Sequence, residues 1–107
     1  MSRAYLATHG DGLRALGRDG VLPADAYACV VAESDDEQDE YDAMAVAGEI
    51  AEERWGAVLV LATETDADEV TGTVALRDVE AIHVGDELAW YATQELETVI
   101  AGLGPSS

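Results

Sequence analysis

The sequence of 107 residues has no phenylalanine and no lysine, and its one cysteine is Cys29. A lone cysteine cannot form an internal disulfide, which is typical of proteins from a reducing cytoplasm. No apolar run approaches the roughly 20 residues that cross a bilayer, and the chain does not start with the basic and apolar segments of a signal peptide. These absences predict a cytoplasmic protein without a membrane partner.

Positive charge is scarce as well, because five arginines oppose 23 acidic residues and leave a formal net charge of −18. The whole excess lies after residue 32, since residues 1–32 hold three acidic residues and three arginines. Proteins bind nucleic acid through a basic surface, so we expect no nucleic-acid partner. Three explanations of the acid stay open: a solvated surface that favours solubility, a docking surface for a basic protein partner, and mimicry of nucleic acid.

What is present suffices for a single α/β domain over residues 1–107, because apolar residues make up 49% of the chain. The longest helical pattern begins at Ser34, a favourable N-cap with Glu37 three residues later, and ends at Trp55 before Gly56. One apolar stripe of this helix should face a sheet, and it consists of Tyr41, Met44, Gly48, Ala51 and Trp55.

Two further apolar residues of the same helix, Val46 and Ile50, lie outside that stripe, given the step of about 100° between successive helical residues. They should not pack on the same sheet and are therefore interface candidates. Either other helices and loops of the protein cover them, or a second copy of the chain does. We predict a homodimer through this helix.

Six strands are predicted, at residues 4–7, 26–32, 57–62, 73–76, 79–84 and 87–92. The second and third of these are apolar on both faces, which predicts interior strands. Residues 87–103 also fit one continuous helix, but we favour a strand and then a helix capped by Thr93, because Trp90 and Tyr91 suit a sheet. The pattern predicts the α+β class, an α/β sandwich of one mixed sheet with about five to six strands and about three helices, the longest near residues 34–55.

No spacing of residues predicts a metal or cofactor site. The sequence has no HxH, CxxC or HExxH pattern, and the turn His9-Gly10-Asp11-Gly12 lacks the spacing of a dinucleotide-binding loop. Cys29 lies in an apolar strand, which is typical of a small buried side chain and not of a nucleophile. Carboxylates are too numerous for any acid–base pair to stand out, so we expect no cofactor and do not favour an enzyme.

Several short motifs are shared with a known family. Arg3-Ala4-Tyr5-Leu6 matches a start of the type Arg-x-Tyr-Leu-Pro, with Ala7 in place of proline, and Val79–Val84 matches a Val-x-x-x-His-Val strand. The longest match is Glu87–Glu95, of the type Glu-Leu-Ala-Trp-Tyr-Ala-x-Gln-Glu. On these motifs the chain resembles a family of uncharacterised small actinobacterial proteins, a domain of unknown function. Its members carry a helical insert where this chain has only Gly85-Asp86, and the resemblance implies no activity.

Two functions are consistent with these features. The first is a protein-interaction or regulatory domain, which the wide apolar arc of the long helix and the one-sided acidic charge favour. The second is a small-molecule-binding protein or an enzyme with a pocket near Tyr5, His9, His83 and Trp90. A concave pocket where these residues meet would favour the second function.

Overall fold

The computed structural model describes residues 2–66 and 69–103. Over these residues the fold belongs to the α+β class, as predicted, with three α-helices, a five-stranded sheet and a two-stranded sheet. In chain order the elements are β1 (Ser2–Ala7), α1 (Gly10–Asp19), β2 (Val21–Leu22), β3 (Ala28–Val31), α2 (Glu37–Trp55), β4 (Leu59–Thr65), β5 (Val74–Ala75), β6 (Val79–Val84), β7 (Ala89–Ala92) and α3 (Leu96–Gly102).

The strands of the main sheet lie in the order β3-β1-β4-β6-β7. Every neighbouring pair is antiparallel, so this sheet is antiparallel throughout instead of mixed. The crossover from β3 through α2 to β4 does connect two strands that run the same way. However, β1 lies between them and pairs with both, so the crossover creates no parallel pair.

Two predicted strands occupy other places than expected. Residues 26–32 contribute β3, which is an edge strand and not an interior one, because it pairs with β1 alone. Both of its faces are apolar because a separate core packs against each of them. Residues 73–76 contribute β5, which leaves the main sheet and pairs with β2, Val21 opposite Ala75.

The C-terminal part confirms a strand followed by a helix. β7 pairs with β6, and a short 3₁₀ turn at Thr93–Glu95 leads into α3. The hydroxyl of Thr93 donates to the Val79 carbonyl at 2.8 Å, so it ties the turn to β6 instead of capping a helix. The β6–β7 turn spans Gly85–Leu88 and is longer than the predicted two residues, since Val84 pairs with Ala89.

The two faces of the main sheet carry cores of different composition. One side, which we call the leucine face, packs large aliphatic side chains of the sheet against those of α1 and α3, among them Leu6, Leu59, Leu61, Ile82, Leu13, Leu16, Leu96 and Val99. The other side, which we call the alanine face, packs small residues of the sheet against α2, among them Ala7, Val60, Ala62, Ala81, Ala43, Ala47 and Ala51. Side chains alternate along each strand, so adjacent residues such as Leu59 and Val60 serve opposite cores.

Helix α2 begins at Glu37, later than the predicted Ser34. Asp36 is the N-cap, and its carboxylate accepts the backbone N–H of Gln38 at 2.8 Å. The Ser34 hydroxyl instead accepts the N–H of Asp36 and donates to Asp39 at 2.6 Å, so it orders the turn that precedes the helix. The helix ends at Trp55 as predicted, with Gly56 in the left-handed conformation at φ 83°.

The centre of the buried face of α2 lies about 80° from the centre of the predicted stripe, given the step of about 100° between residues. Ala43, Ala47 and Ala51 form its centre. Tyr41 of the predicted stripe is 55% exposed. The other four stripe residues are buried or partly buried, as predicted: Met44, Gly48, Ala51 and Trp55. The sheet residues beneath these three alanines are mostly small, so the helix can lie close to the sheet. The bulkier side chains of α2 pack at the margins of this contact.

This rotation corrects the placement of the two interface candidates. Ile50 is partly buried and packs against the alanine-face core, so it does pack on the sheet. Val46 remains 44% exposed. The apolar surface that α2 leaves uncovered on this side is therefore smaller than the sequence indicated.

Candidate functional site

Three of the four residues predicted to form a pocket do line one concavity. Tyr5, His83 and Trp90 border a space of about 300 Å³ on the alanine face, which we call the aromatic pocket. Its other lining residues are Arg3, Glu37, Glu40, Tyr41, Met44, Ala62 and Ala81. The pocket exists because α2 packs over β3, β1 and β4, so the β6–β7 end of this face lies beside the helix and not beneath it.

Strand register places these side chains together. His83 lies opposite Trp90 on β7 and opposite Val60 on β4, and Ala62 pairs with both Tyr5 and Ala81. Paired residues point to the same side of a sheet, so all of them emerge on the alanine face. The short side chains of Ala62 and Ala81 lie between the larger ones, which gives the pocket its depth.

The imidazole of His83 is fixed by the β6–β7 turn. Its Nδ1 lies 3.2 Å from the Leu88 carbonyl oxygen, which can only accept, so Nδ1 carries the proton and Nε2 keeps a lone pair. Burial lowers the pKa of His83 from its ordinary 6.5, and the charge of Arg3 lowers it further, against the opposing effect of the hydrogen bond. The ring is therefore neutral at pH 7.

The hydroxyl of Tyr5 is held in its protonated form. Burial raises its pKa above the ordinary 10.0, and the negative charges of Glu40 and Glu80 add to that effect while Arg3 opposes it. Tyr5 is 5% exposed and belongs to the alanine-face core, so it offers the pocket a neutral polar group on a rigid strand.

Arg3 is the positively charged residue that lines the pocket, and two carboxylates lie beside its guanidinium. Its guanidinium lies 3.8 Å from Glu64 and 4.0 Å from Glu80. Glu37 and Glu40 line the pocket from the first turn of α2. The pocket lining thus holds one guanidinium and two carboxylates, and two further carboxylates lie beside the guanidinium, so the local charge is negative.

A second concavity adjoins the first and shares Tyr41 with it. This acidic groove has a volume of about 420 Å³ and lies between α2 and the β6–β7 turn. Its lining residues are Tyr41, Ala45, Gly48, Glu49, Glu52, Glu53, Val58, Asp86 and Leu88. A Cβ atom on Gly48 would lie 3.2 Å from Val58 and 3.5 Å from Leu88, so glycine lets the strand and the turn approach the helix.

Sequence reasoning missed the acidic groove. The spacing of Glu49, Glu52 and Glu53 does predict one acidic helix face. Nothing in the local pattern predicts that the β6–β7 turn folds towards that face. In the structure, Leu88 adopts φ 53°, a value uncommon for a residue other than glycine, and its N–H donates to the Gly85 carbonyl at 2.8 Å.

Two large aromatic side chains flank the aromatic pocket and remain in contact with solvent. Trp90 on β7 is 62% exposed, and Tyr41 on α2 is 55% exposed. Within residues 2–66 and 69–103 they are the most exposed of the large hydrophobic side chains. Exposed aromatic rings beside a concavity are characteristic of binding surfaces.

His9, the fourth predicted pocket residue, lies elsewhere. Its ring stacks on Trp55 with the ring centroids 4.8 Å apart and the planes 19° from parallel. The guanidinium carbon of Arg54 lies 4.6 Å from the centroid of the same indole. This stack joins the end of β1 to the end of α2, so it fixes the helix instead of lining the pocket.

The remaining candidates for chemistry are separate from the pocket. Cys29 on β3 is partly buried, its sulfur accepts the Val70 N–H at 3.5 Å, and burial raises its thiol pKa. Among the described residues, no group of three or more His, Cys, Asp or Glu side chains is placed to hold a metal ion. In the same part of the chain, no helix combines the length and apolarity that crossing a membrane requires.

No family model, curated protein or solved structure matches this chain. Its resemblance to the small actinobacterial proteins therefore stays a prediction from the motifs around Tyr5 and Trp90.

Proposed function

We propose that this protein is an interaction domain that binds a basic segment of a partner protein along the aromatic pocket and the acidic groove. The observation that carries the proposal is the pair of exposed rings, Trp90 and Tyr41, in a pocket that adjoins a groove with four carboxylates. The proposed partner is thus defined by its chemistry, as an extended or helical segment with arginine or lysine side chains.

Exposed aromatic residues support binding to a protein surface. Tryptophan and tyrosine are enriched among residues that dominate binding energies, because they bury a large area with few rotatable bonds. Trp90 lies on a strand and Tyr41 on the longest helix, so both rings are attached to rigid elements. A partner that covers them gains apolar contact at little cost in backbone order.

The charge distribution supports a basic partner. Helix α2 carries seven acidic residues and one arginine, whereas α1 carries two of each sign. Three of the α2 acids, Glu49, Glu52 and Glu53, line the groove, where their charge would increase the association rate of a basic partner and disfavour acidic ones. Tyr41 lines both concavities, with Trp90 in the pocket and these glutamates in the groove, so one segment that passes Tyr41 can contact both sets of residues.

The proposal is tested by calorimetric titration with a capped glycine–serine peptide that carries four arginines and a central leucine. The groove variant Glu49→Gln/Glu52→Gln should bind about tenfold more weakly than wild type, a loss of about 1.4 kcal/mol. Its matched control is Asp25→Asn/Glu97→Gln, which removes the same charge from exposed residues near the leucine-face core. The control should bind within about twofold of wild type, since neither residue lines the groove and salt screens exposed charges over a Debye length of about 10 Å. Equal losses in the two variants, or no binding to wild type, would contradict the proposal.

A second candidate function is binding of a small molecule in the aromatic pocket. It is favoured by the convergence of Tyr5 and His83, two rigid polar groups, in a space of about 300 Å³. That volume is at the lower end of the range of about 300–1,000 Å³ that is usual for ligand sites. Native mass spectrometry of the purified protein tests it, because a retained molecule that Ala81→Leu displaces would support this function over the first.

We also keep the proposal of a homodimer through α2, in a cytoplasmic setting, with Val46 as its one exposed apolar residue near the helix centre. Asp42 and Glu49 neighbour Val46 on the helix surface, so two copies would bring like charges together. Sedimentation at micromolar concentration tests it. A dimer that Val46→Glu dissociates would support the proposal, and a monomeric wild type would exclude it.

A further inference from the structure

We infer that the aromatic pocket binds the guanidinium group of one arginine of that basic segment, between the rings of Trp90 and Tyr41 and beside the carboxylates of Glu37 and Glu40. This inference rests on the proposed function and names the anchor of the interaction. The acidic groove would then contact the other basic residues of the same segment.

The first reason is the aromatic lining. Trp90, Tyr41 and Tyr5 border the same space of about 300 Å³. The faces of aromatic rings attract cations, and the planar guanidinium also stacks on them, which a lysine ammonium group does not do. Guanidinium is also more weakly hydrated than ammonium, so its transfer from water into this pocket costs less.

The second reason is a surplus of hydrogen-bond acceptors. Within the described part of the chain, the carboxylates of Glu37 and Glu40 have no ion-pair or hydrogen-bond partner. His83 presents an Nε2 lone pair, because its Nδ1–H is committed to the Leu88 carbonyl. A guanidinium has five N–H donors and no acceptor, which is the complement of such a site.

The third reason is that the charge of Arg3, the arginine in the pocket lining, is already balanced by neighbouring carboxylates. Arg3 has Glu64 and Glu80 within 4.0 Å, and its side chain is 30% exposed. Its positive charge therefore opposes a bound cation less than an unpaired arginine would. The negative charge contributed by Glu37 and Glu40 remains available to the partner.

The fourth reason distinguishes an arginine of a protein from a free small cation. The aromatic pocket adjoins the acidic groove at Tyr41 and is open to solvent, so an arginine side chain can enter while its backbone continues along the groove. A free guanidinium ion would gain the pocket contacts alone. The peptide should therefore bind far more tightly than ethylguanidinium.

The test is a set of double-mutant cycles with the four-arginine peptide and four counterparts, each with citrulline at one position. Citrulline keeps the shape of arginine and removes its charge. At one position, citrulline should weaken binding to wild type by about tenfold and have little further effect on Trp90→Ala or Glu37→Gln/Glu40→Gln.

These variants should fold, because Trp90 and Glu37 are exposed and Glu40 is not fully buried. Trp55→Phe is the control, and its cycles should be additive.

The outcomes separate the inference from the proposed function. Coupling between one arginine and the pocket variants supports the inference. Binding that the groove variant weakens, with additive cycles at all four positions, overturns the inference and leaves the proposed function intact. Absence of binding to wild type overturns both. Ethylguanidinium that binds as tightly as the peptide also overturns the inference, since the site would then select a small free cation.

Discussion

The two faces of the main sheet are packed with side chains of different size. On the leucine face, large side chains such as Leu61 and Ile82 meet those of α1 and α3 and are fully buried. On the alanine face, Ala47 and Ala51 of α2 lie on small sheet residues such as Ala62. Two helices share the first face, whereas a single helix packs on the second.

This difference explains where the candidate site lies. One helix placed over β3, β1 and β4 cannot also cover β6 and β7, so His83 and Trp90 remain at an open margin. The helices on the two faces also differ in charge. Helix α2 on the alanine face carries seven acids and one arginine, whereas α3 on the leucine face carries one acid and no base. Both faces carry a buried core, but only the alanine face has an open margin beside its helix.

The largest expected effect comes from placing a charge in either core. Leu59 and Val60 are adjacent, almost fully buried, and serve the leucine and alanine faces respectively. Leu59→Asp and Val60→Asp should each prevent folding, because an unpaired carboxylate would be buried. Circular dichroism and thermal melting check this. A cooperative transition in both variants would show that the strand does not separate two cores.

The next effect is a reciprocal change of side-chain size. Leu61→Ala should lower the free energy of unfolding by about 2–5 kcal/mol, because it leaves a cavity in the leucine face. Ala47→Leu should lower it by about 1–3 kcal/mol or more, because the alanine face has no space for the added carbons. The exposed Ala101→Leu is the control and should change it by less than about 0.5 kcal/mol. Urea unfolding measures all three, and an alanine face that accepts leucine without loss would contradict the close packing of α2.

A smaller effect concerns salt. The seven acids of α2 repel one another, so the melting temperature should rise between dilute buffer and about 1 M NaCl, where the Debye length is about 3 Å. Amide hydrogen exchange should slow more in α2 than in α1, whose charges balance. Equal changes in the two helices would show that the charge asymmetry does not affect stability.

The smallest effect is the pH dependence contributed by His83. Burial places its folded-state pKa below the unfolded value of about 6.5, so the unfolded state binds the proton more readily. The contribution of His83 to stability should be complete above pH of about 6.5 and should be lost as the pH falls through the folded-state pKa. His83→Asn keeps a donor for the Leu88 carbonyl and should remove this pH dependence. An NMR titration midpoint for His83 above 6.5 would refute the prediction.

Much of the fold follows from local patterns in the sequence. Residues 79–84 are mostly apolar with two valines and an isoleucine, which favours a strand, and the predicted limits match β6. Residues 87–103 also fit one helix, but Trp90 and Tyr91 favoured a strand, because large aromatic residues suit a sheet, and β7 is found there. These features were predictable since each depends on neighbours within a few residues.

The rotation of α2 was not predictable in the same way. Its apolar arc is wide enough for several faces to pack, and helical periodicity does not choose among them. The choice depends on the small residues of β1 and β4, which allow Ala43, Ala47 and Ala51 to approach. This long-range match of small surfaces brought Ile50 against the alanine-face core and left Tyr41 exposed.

The candidate site was predicted in part. Tyr5, His83 and Trp90 do line one concavity, because strand pairing brings them to one face, whereas their role in binding a ligand stays a prediction. His9 does not line this concavity. It follows Tyr5 by four residues, and because an extended chain advances by about 13 Å over that span, the two side chains lie far apart. The acidic groove was missed because it forms only when the β6–β7 turn meets α2, a contact between distant parts of the chain.

The two tryptophans allow the most direct test of the central claim. Trp90 borders the aromatic pocket, whereas Trp55 stacks on His9 outside the linings of both the pocket and the groove. In ¹⁵N NMR spectra, each of the two indole N–H groups should give its own signal. Addition of the four-arginine peptide should shift the Trp90 signal and leave the Trp55 signal in place. Equal shifts of both signals, or a shift of Trp55 alone, would contradict a partner site between α2 and the β6–β7 end of the sheet.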